Sequence, residues 1–502
     1  MDLSNAPKPN AAAAAFLARD KHKLLIGGQW VDSQSGATFD TLDPATGEVI
    51  GKVARAGAAD VDAAVAAARK AFSSGPWPAM TPMARSQLLW KIADLMEANI
   101  DELAELETLD QGKALYVGRW AEIPGAVAQF RYFAGMATKI EGATIPTSIN
   151  YQPEGKIVHA YTRREPVGVV GAILPWNSPL VLTAMKIAPA MATGCTLVLK
   201  PSEETSLTTI RLAELIQEAG APEGVVNVVT GFGGECGSAL AEHMDVNKIV
   251  FTGSTATGRK IVEASKGNLK RVGVELGGKS PVIIMDDADL DAAIPGAANA
   301  IYFNGGQVCI AGSRLYAHSS VYDKVVEGMA AQASAIQLGH GLDPATHMGP
   351  LISKGHAGKV ADYIADGKKA GASVLVGGET AGPNQSFVTP TVITDVKPDM
   401  RIVREEIFGP VVVVSRFDDM DEVVAAANDS DYGLAAGVWT EGLSNATRMA
   451  ERLHAGTVWI NSHAMYDASL PIGGMKQSGY GRESGQAAMD NYLELKTVCA
   501  IV

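Results

Sequence analysis

The sequence predicts an α/β protein built on parallel sheets and divided into more than one domain. Three observations carry this. The chain has 502 residues, too many for one hydrophobic core. From Val167 onward, short apolar runs alternate with helix-length amphipathic stretches, the pattern of buried strands joined by covering helices. The 53 glycines lie scattered between those runs, where tight βα turns need them, and not in a low-complexity tract.

Residues 1 to about 21 are expected to be loosely ordered. Leu24-Leu25-Ile26 and Gln29-Trp30-Val31 read as strands, followed by a turn at Asp43-Pro44-Ala45-Thr46-Gly47. Asp60 is placed to cap a helix running through Phe72, and apolar residues at helical spacing predict another over about Pro82 to Ala98. Val169 to Leu174, Thr196 to Leu199, Val225 to Val229 and Lys248 to Thr252 read as buried strands, with a helix over Thr205 to Ala219. A second series spans about Ser280 to Gly474. Its strands are expected at Ser313 to Ala317, Ala372 to Val376, Val411 to Ser415 and Thr457 to Asn461. Its helices are expected over Val321 to Ile336, Lys354 to Ala370 and Leu443 to Leu453. The polar stretch Thr147 to Arg164 and the tail from Gln477 belong to neither series and read as arms that meet another subunit.

A net charge of −13 disfavours nucleic acid as a partner, since phosphate contacts need clustered Lys and Arg. No apolar stretch reaches the length of a membrane span, so no membrane partner is expected. Cys195, Cys236, Cys309 and Cys499 fit no zinc spacing and are too sparse for a disulfide framework. No metal site and a reducing, cytoplasmic setting are therefore expected. The Ala11 to Ala15 run is too short for a signal segment.

Several residues stand where chemistry is plausible. Cys309 follows Gly305 and Gly306, a permissive turn that lets backbone approach a ligand; a lone Cys is otherwise a small buried hydrophobe, which is how Cys195, Cys236 and Cys499 are read. Glu275 ends the apolar run Val272 to Val274 and precedes Gly277-Gly278, so it can face a cleft, although solvent is the usual fate of a Glu. Asn177 follows Pro175 and Trp176, where a plain turn Asn is the ordinary reading. Lys200 and Glu203 follow a strand and so sit at a carboxyl edge, where parallel sheets bind ligands. The glycines do not follow the usual dinucleotide fingerprint: Gly253 and Gly258 are five apart, and Gly231, Gly233 and Gly237 lie on an earlier loop.

Recognisable segments occur in a fixed order. They are Pro175-Trp176-Asn177, Lys200-Pro201-Ser202-Glu203, Phe251 to Gly258, Glu275-Leu276-Gly277-Gly278-Lys279 and Gly306-Gln307-Val308-Cys309. Glu405 to Pro410 and Gly473 to Gly479 follow. Together they resemble the aldehyde dehydrogenase superfamily over about Leu24 to Thr497, and Asn461-Ser462-His463 with the closing Gly-Met-Lys-Gln-Ser-Gly run looks most like its phenylacetaldehyde dehydrogenase branch.

The resemblance implies a two-domain fold. A Rossmann-like NAD(P)-binding domain would cover 22–146 and 168–275, and an α/β catalytic domain 276–476. The oligomerisation arm and tail would be 147–167 and 477–502, serving a homodimer or homotetramer. It implies that Cys309 attacks an aldehyde and that Glu275 is the base that hydrolyses the resulting thioester. Asn177 and the Cys309 N–H would hold the oxyanion, and Lys186 would lie on the proton path. A base at Glu275 argues against the acylating, coenzyme A-dependent relatives.

For the cofactor, the resemblance implies that Gly253, Ser254 and Thr257 meet the pyrophosphate. Phe251 would lie on the adenine side, and Lys200, Ser202 and Glu203 near the adenosine ribose. Ile173, Leu174, Pro175, Trp176, Gly233, Gly237 and Leu276 would complete the groove, with Glu406 on the nicotinamide ribose and Phe408 beside the nicotinamide. NAD is expected; Glu203 disfavours NADP without forbidding it. His356 stands where several relatives have a ribose-binding glutamine, and is read as a lone surface His. Ser178, Leu182, Met185, Val308, Ile310, Met465, Tyr466 and Ile472 would line the substrate tunnel. Ser178, Met185 and Ile472 replace aromatic residues of many relatives, which implies a wide tunnel suited to a bulky aromatic or long-chain aldehyde. Two rival functions stand beside this: a silent structural protein of the same fold, and an enzyme that never releases its nicotinamide.

Overall fold

The structure is a computed structural model that describes residue 3 and residues 6–151 and 153–502. Two sheets dominate it. The first runs in spatial order Gln29–Val31, Leu24–Ile26, Val226–Val228, Thr196–Lys200, Val169–Ile173, Lys248–Thr252, Arg271–Glu275 and Gly479–Tyr480. Its five central strands are parallel and its outer pairings antiparallel. Val169–Ile173, Thr196–Lys200 and Lys248–Thr252 are buried along their whole length because helices cover both faces, as the apolar runs predicted. Strand order reverses beside Val169–Ile173: the chain first steps outward to Thr196–Lys200, then returns to the other flank at Lys248–Thr252. Such a reversal opens a crevice at the carboxyl ends.

The second sheet runs in the order Ser373–Val376, Thr391–Thr394, Val411–Phe417, Arg314–His318, Pro281–Ile284, Ala435–Trp439 and Thr457–Ile460, and all but its first pairing are parallel. A third sheet pairs Leu493–Ile501 with Val158–Pro166, and that strand with Thr144–Ile145. The stretch and tail assigned to neither series therefore meet each other within one chain. Part of the tail does something else: Gly479–Tyr480 closes the edge of the first sheet against Val274 and Glu275.

Two expectations are corrected. The early segment is not loose throughout: Ala11–Leu17 is a helix capped by Asn10 that buries Ala13 and Phe16, although residues 1, 2, 4 and 5 lie outside the described ones. Asp60 is not the N-cap of its helix. Ala58–Ser73 starts after Gly57, and Asp60 in its first turn accepts from the Gly57 and Gln34 amides.

Candidate active site

The two large sheets are joined by the short link Leu276–Ser280, which leaves the carboxyl end of Arg271–Glu275 and enters the amino end of Pro281–Ile284. The link fixes the site. Carboxyl ends of the first sheet present Ile173 to Asn177, Lys200, Thr252 and Glu275, and the amino edge of the second presents the loop before Arg314–His318, which carries Cys309. That loop is bent by Asn304, Gly305 and Gly306, with φ of 50°, 64° and 71°. Gly306 cannot be replaced, since a Cβ there would lie 2.1 Å from the Gly409 carbonyl oxygen. Gly278 of the link presses on the other side: a Cβ would stand 2.3 Å from the Cys309 carbonyl oxygen.

Asn177 is buried, and its Nδ2 donates to the Gln307 carbonyl at 3.0 Å while its own carbonyl accepts from Asn304 Nδ2 at 2.9 Å. Gln307 is pinned in turn, its Oε1 accepting from the Ile352 amide at 2.9 Å. The amide of Asn177 is thus tied to the loop that bears the thiol. Cys309 is partly buried, and burial together with the Glu406, Glu275 and Glu483 carboxylates pushes its thiol up to about 12. Glu275 is pushed well above the usual carboxylate range by burial and by Glu483, with Lys186 and Arg482 opposing. Its Oε1 is buried without a hydrogen-bond partner. An unpartnered, proton-hungry carboxylate beside a thiol is equipped to accept a proton from the thiol or from water.

Lys186 is fully buried on the Pro179–Thr193 helix, and its Nζ donates to Thr252 Oγ1 at 2.6 Å and to Glu483 Oε1 at 2.5 Å. Glu483 escaped the sequence reading because nothing local distinguishes it from a surface Glu. Only the antiparallel bridge between Ile472 and Glu483 folds it back over the site. Gln307, Asn304 and Glu122, whose Oε1 accepts from Ser178 Oγ at 2.8 Å, were missed for the same reason: their roles are contacts between distant segments.

The cofactor candidates gather at the carboxyl edge of the first sheet. Lys200 Nζ donates to Glu203 Oε2 at 2.7 Å, beside the buried Ser202. Ser254 caps the helix Thr255–Ala264, accepting from the Thr257 amide, and both side chains are exposed at that helix start. Phe251 is a core residue whose ring packs under Gly253, leaving no room for a Cβ there. Leu276 is buried and its amide donates to the Ser478 carbonyl. Gly233 and Gly237 begin and end a single turn, Gly233 exposed and Gly237 buried. Ile173, Leu174 and Pro175 are buried at the end of their strand. Glu406 accepts from the Gly278 amide at 2.9 Å and is pushed up to about 7 by burial.

His356 is not a lone surface residue. It is partly buried, its Nε2 donates to the Phe408 carbonyl at 2.7 Å, and Trp176 packs edge-on against both rings. Phe408 has a φ of 59°, a costly conformation for an aromatic residue, which these contacts hold in place.

The segment after Thr457–Ile460 roofs the site. His463 Nε2 donates to the Ile310 carbonyl at 2.7 Å, which ties the roof to the residue after Cys309. Tyr466 OH bonds Ser484 Oγ at 2.8 Å and accepts from Gln129. Gly473 passes so close to Glu275 that a Cβ would be 2.9 Å from Oε1. Met185 lines a small cavity with Glu275 and Glu483. Ile472, Val308 and Leu182 are half-buried, while Met465 is exposed and engaged through its carbonyl, which accepts from Trp459 Nε1. Among the described residues, no group of three or more His, Cys, Asp or Glu side chains is placed to hold a metal, and no helix is long and apolar enough to cross a membrane.

A thiol, a fixed amide donor and an unpartnered carboxylate, set between two α/β sheets, form a constellation for covalent carbonyl chemistry. The sequence pattern of the aldehyde dehydrogenase family matches residues 30–498. This chain belongs to the aldehyde dehydrogenase family. It is 48% identical over 479 residues to a phenylacetaldehyde dehydrogenase of Pseudomonas fluorescens, with 95% of each chain covered. It is equally 48% identical to a mitochondrial benzaldehyde dehydrogenase of Antirrhinum majus, covering 95% of this chain and 88% of that one. Among solved structures, the NAD+ complex of an aldehyde dehydrogenase from Bacillus cereus superposes with a TM-score of 0.96 at 49% identity, covering 99% of this chain and 100% of the other. The chain is an enzyme that oxidises an aldehyde to its carboxylic acid, and its fold is the two-domain aldehyde dehydrogenase fold.

Proposed function

We propose that this aldehyde dehydrogenase oxidises a bulky aromatic or long-chain aldehyde, using NAD, through a thioester on Cys309. The observation that carries it is the packing of the link that follows Glu275 against the Cys309 backbone at Gly278, with the buried carboxylate oxygen of Glu275 left without a partner. Cys309 adds to the carbonyl as the thiolate, and Asn177 Nδ2 with the Cys309 amide hold the oxygen as it becomes negative. After oxidation of the adduct to the thioester, Glu275 takes a proton from the attacking water. Lys186 and Glu483 lie on the inner side of Glu275, where they set its charge and give the proton a way out.

The carboxyl edge of the first sheet fits a dinucleotide. The open start of the Thr255–Ala264 helix suits a diphosphate, and the Lys200–Glu203 pair suits ribose hydroxyls. Glu406 and the Trp176–Phe408 wall suit the nicotinamide end. NAD, when bound, supplies the hydride acceptor. Glu203 favours NAD over NADP because its charge opposes a 2′-phosphate. We divide the chain into a cofactor domain at 22–146 and 168–275, a catalytic domain at 276–476, and an arm and tail at 147–167 and 477–502, although Gly479–Tyr480 pairs with the cofactor sheet and Thr144–Ile145 with the arm.

Ser178, Met185 and Ile472 stand where the resemblance places aromatic side chains in many relatives, which supports a wide tunnel, and relatives named for phenylacetaldehyde and benzaldehyde fit the aromatic choice. The three-stranded arm exposes Ile145, Tyr161, Leu495 and Ile501. Apolar side chains on an outlying sheet support a homodimer or homotetramer; light scattering at micromolar concentration should show no stable monomer. Four free cysteines accord with a cytoplasmic setting. The mechanism is tested with Cys309→Ala, which should lose aldehyde turnover while still binding NAD; substantial remaining turnover would remove Cys309 from its role.

A further inference from the structure

The two ring nitrogens of His463 have different fates. Nε2 donates to the Ile310 carbonyl at 2.7 Å, while Nδ1 is buried with no hydrogen-bond partner. The residue is 8% exposed, and burial pushes its imidazole down to about 4, so the ring is neutral. A carbonyl only accepts, so the single ring proton sits on Nε2. Leaving Nδ1 without a donor costs stability that a phenyl ring of similar size would not lose. Filling space therefore does not account for a histidine here; the bond to Ile310 does.

The aim of the ring is over-determined. Asn461 and Ala464, on either side, have φ of 50° and 58°, a left-handed conformation that residues other than glycine keep only where their surroundings hold them. Asn461 exchanges two bonds with the Thr440 backbone: Oδ1 accepts from the amide and Nδ2 donates to the carbonyl, both at 2.9 Å. Trp459 Nε1 donates to the Met465 carbonyl at 2.9 Å, and its ring centroid lies 4.8 Å from that of the imidazole. The imidazole also presses on the strand Ala435–Trp439: a Cβ on Gly437 would stand 2.7 Å from Nδ1. A strained turn, clamped from two sides, thus points one donor at the residue after Cys309.

Ile310 in turn faces the thiol. Burial and the carboxylates of Glu406, Glu275 and Glu483 favour the protonated sulfur, and the Ile310 amide, hydrogen-bonded to that sulfur, opposes them. The amide and the carbonyl of Ile310 flank one Cα, so a carbonyl held in place limits the backbone rotation that would swing the amide away. We propose that His463 is a positioning residue: by holding the Ile310 carbonyl it keeps the Ile310 amide on the Cys309 sulfur and so steadies the thiolate that attacks the aldehyde. The proposal rests on the reading of Cys309 as the nucleophile.

The test is the rate at which iodoacetamide alkylates Cys309 in the whole enzyme at one neutral pH, followed by the mass of the Cys309 peptide. Alkylation reads the thiolate whether or not Cys309 carries turnover, so its outcome is separate from that of Cys309→Ala. His463→Phe keeps a ring against Trp459 and removes the donor. It should slow alkylation by about fivefold, part of the worth of one hydrogen bond to a charged group, and lower kcat without raising KM for NAD. His463→Gln, whose side-chain amide can still donate to the Ile310 carbonyl, should restore most of the rate. His463→Leu gives the same donor-free comparison if the Phe variant does not fold. Alkylation at the parental rate in the donor-free variant, or a Gln variant as slow as the donor-free one, overturns the proposal and leaves His463 a packing residue.

Discussion

Lys186 Nζ stands 2.5 Å from Glu483 Oε1, fully buried, while Glu275 beside it has no hydrogen-bond partner for its own buried oxygen. One cation therefore serves two carboxylates. Glu483 raises the proton affinity of Glu275 and Lys186 lowers it. A base must be deprotonated to act, so the acidic limb of the kcat–pH profile follows the Glu275 pKa. Lys186→Met should raise that pKa and move the limb to higher pH by about one unit or more; Glu483→Gln should move it to lower pH. Shifts in the same direction, or none in either variant, would separate these residues from the base.

The thiol of Cys309 is pushed up to about 12, mainly by burial. Well below that value the thiolate fraction rises about tenfold per pH unit, and the thiolate is the nucleophile. Alkylation of Cys309 by iodoacetamide should accelerate steadily from pH 6 to 9. A plateau by pH 7.5 would mean a thiol of ordinary or lowered pKa.

Lys200 and Glu203 form an ion pair at the carboxyl edge of the first sheet, where we propose that the adenosine ribose lies. Glu203→Gln removes the charge that opposes a 2′-phosphate and frees Lys200 to meet it. The ratio of kcat/KM for NADP over NAD should rise about tenfold. A parent enzyme that already favours NADP, or a variant with an unchanged ratio, would place the ribose elsewhere.

The fold was legible from periodicity because parallel strands buried on both faces leave continuous apolar runs. The strand at Lys248–Thr252 and the helix at Pro82–Ala98 fell where the pattern put them. The helix Ile100–Gln111 was not legible. Glu102, Glu105, Glu107 and Asp110 are buried on it, and buried acids erase the contrast between its faces. The site divided in the same way. Cys309, Glu275 and Asn177 sit in local motifs, so their neighbours in sequence marked them. Glu483, Glu122 and the bond from His356 to Phe408 are contacts between distant segments, which one sequence does not display. His356 shows the hazard plainly: judged as a single residue it looked like surface, yet it holds a strained Phe.

The proposed aldehyde preference assigns the tunnel width to Ser178 and Met185. Ser178→Phe with Met185→Trp adds two rings there, and should raise KM for phenylacetaldehyde far more than for acetaldehyde. Equal changes for both aldehydes, or a parent that already prefers acetaldehyde, would show that the width is set elsewhere.

The most direct test of the whole account is the mass of Cys309 during turnover. Glu275→Gln keeps the thiol and removes the base that hydrolyses the thioester. The variant, mixed with NAD and phenylacetaldehyde and quenched in acid within a second, should form a burst of NADH. Its Cys309 peptide should gain the mass of the phenylacetyl group less one hydrogen. NADH formed while every Cys309 peptide stays unmodified would contradict the covalent mechanism.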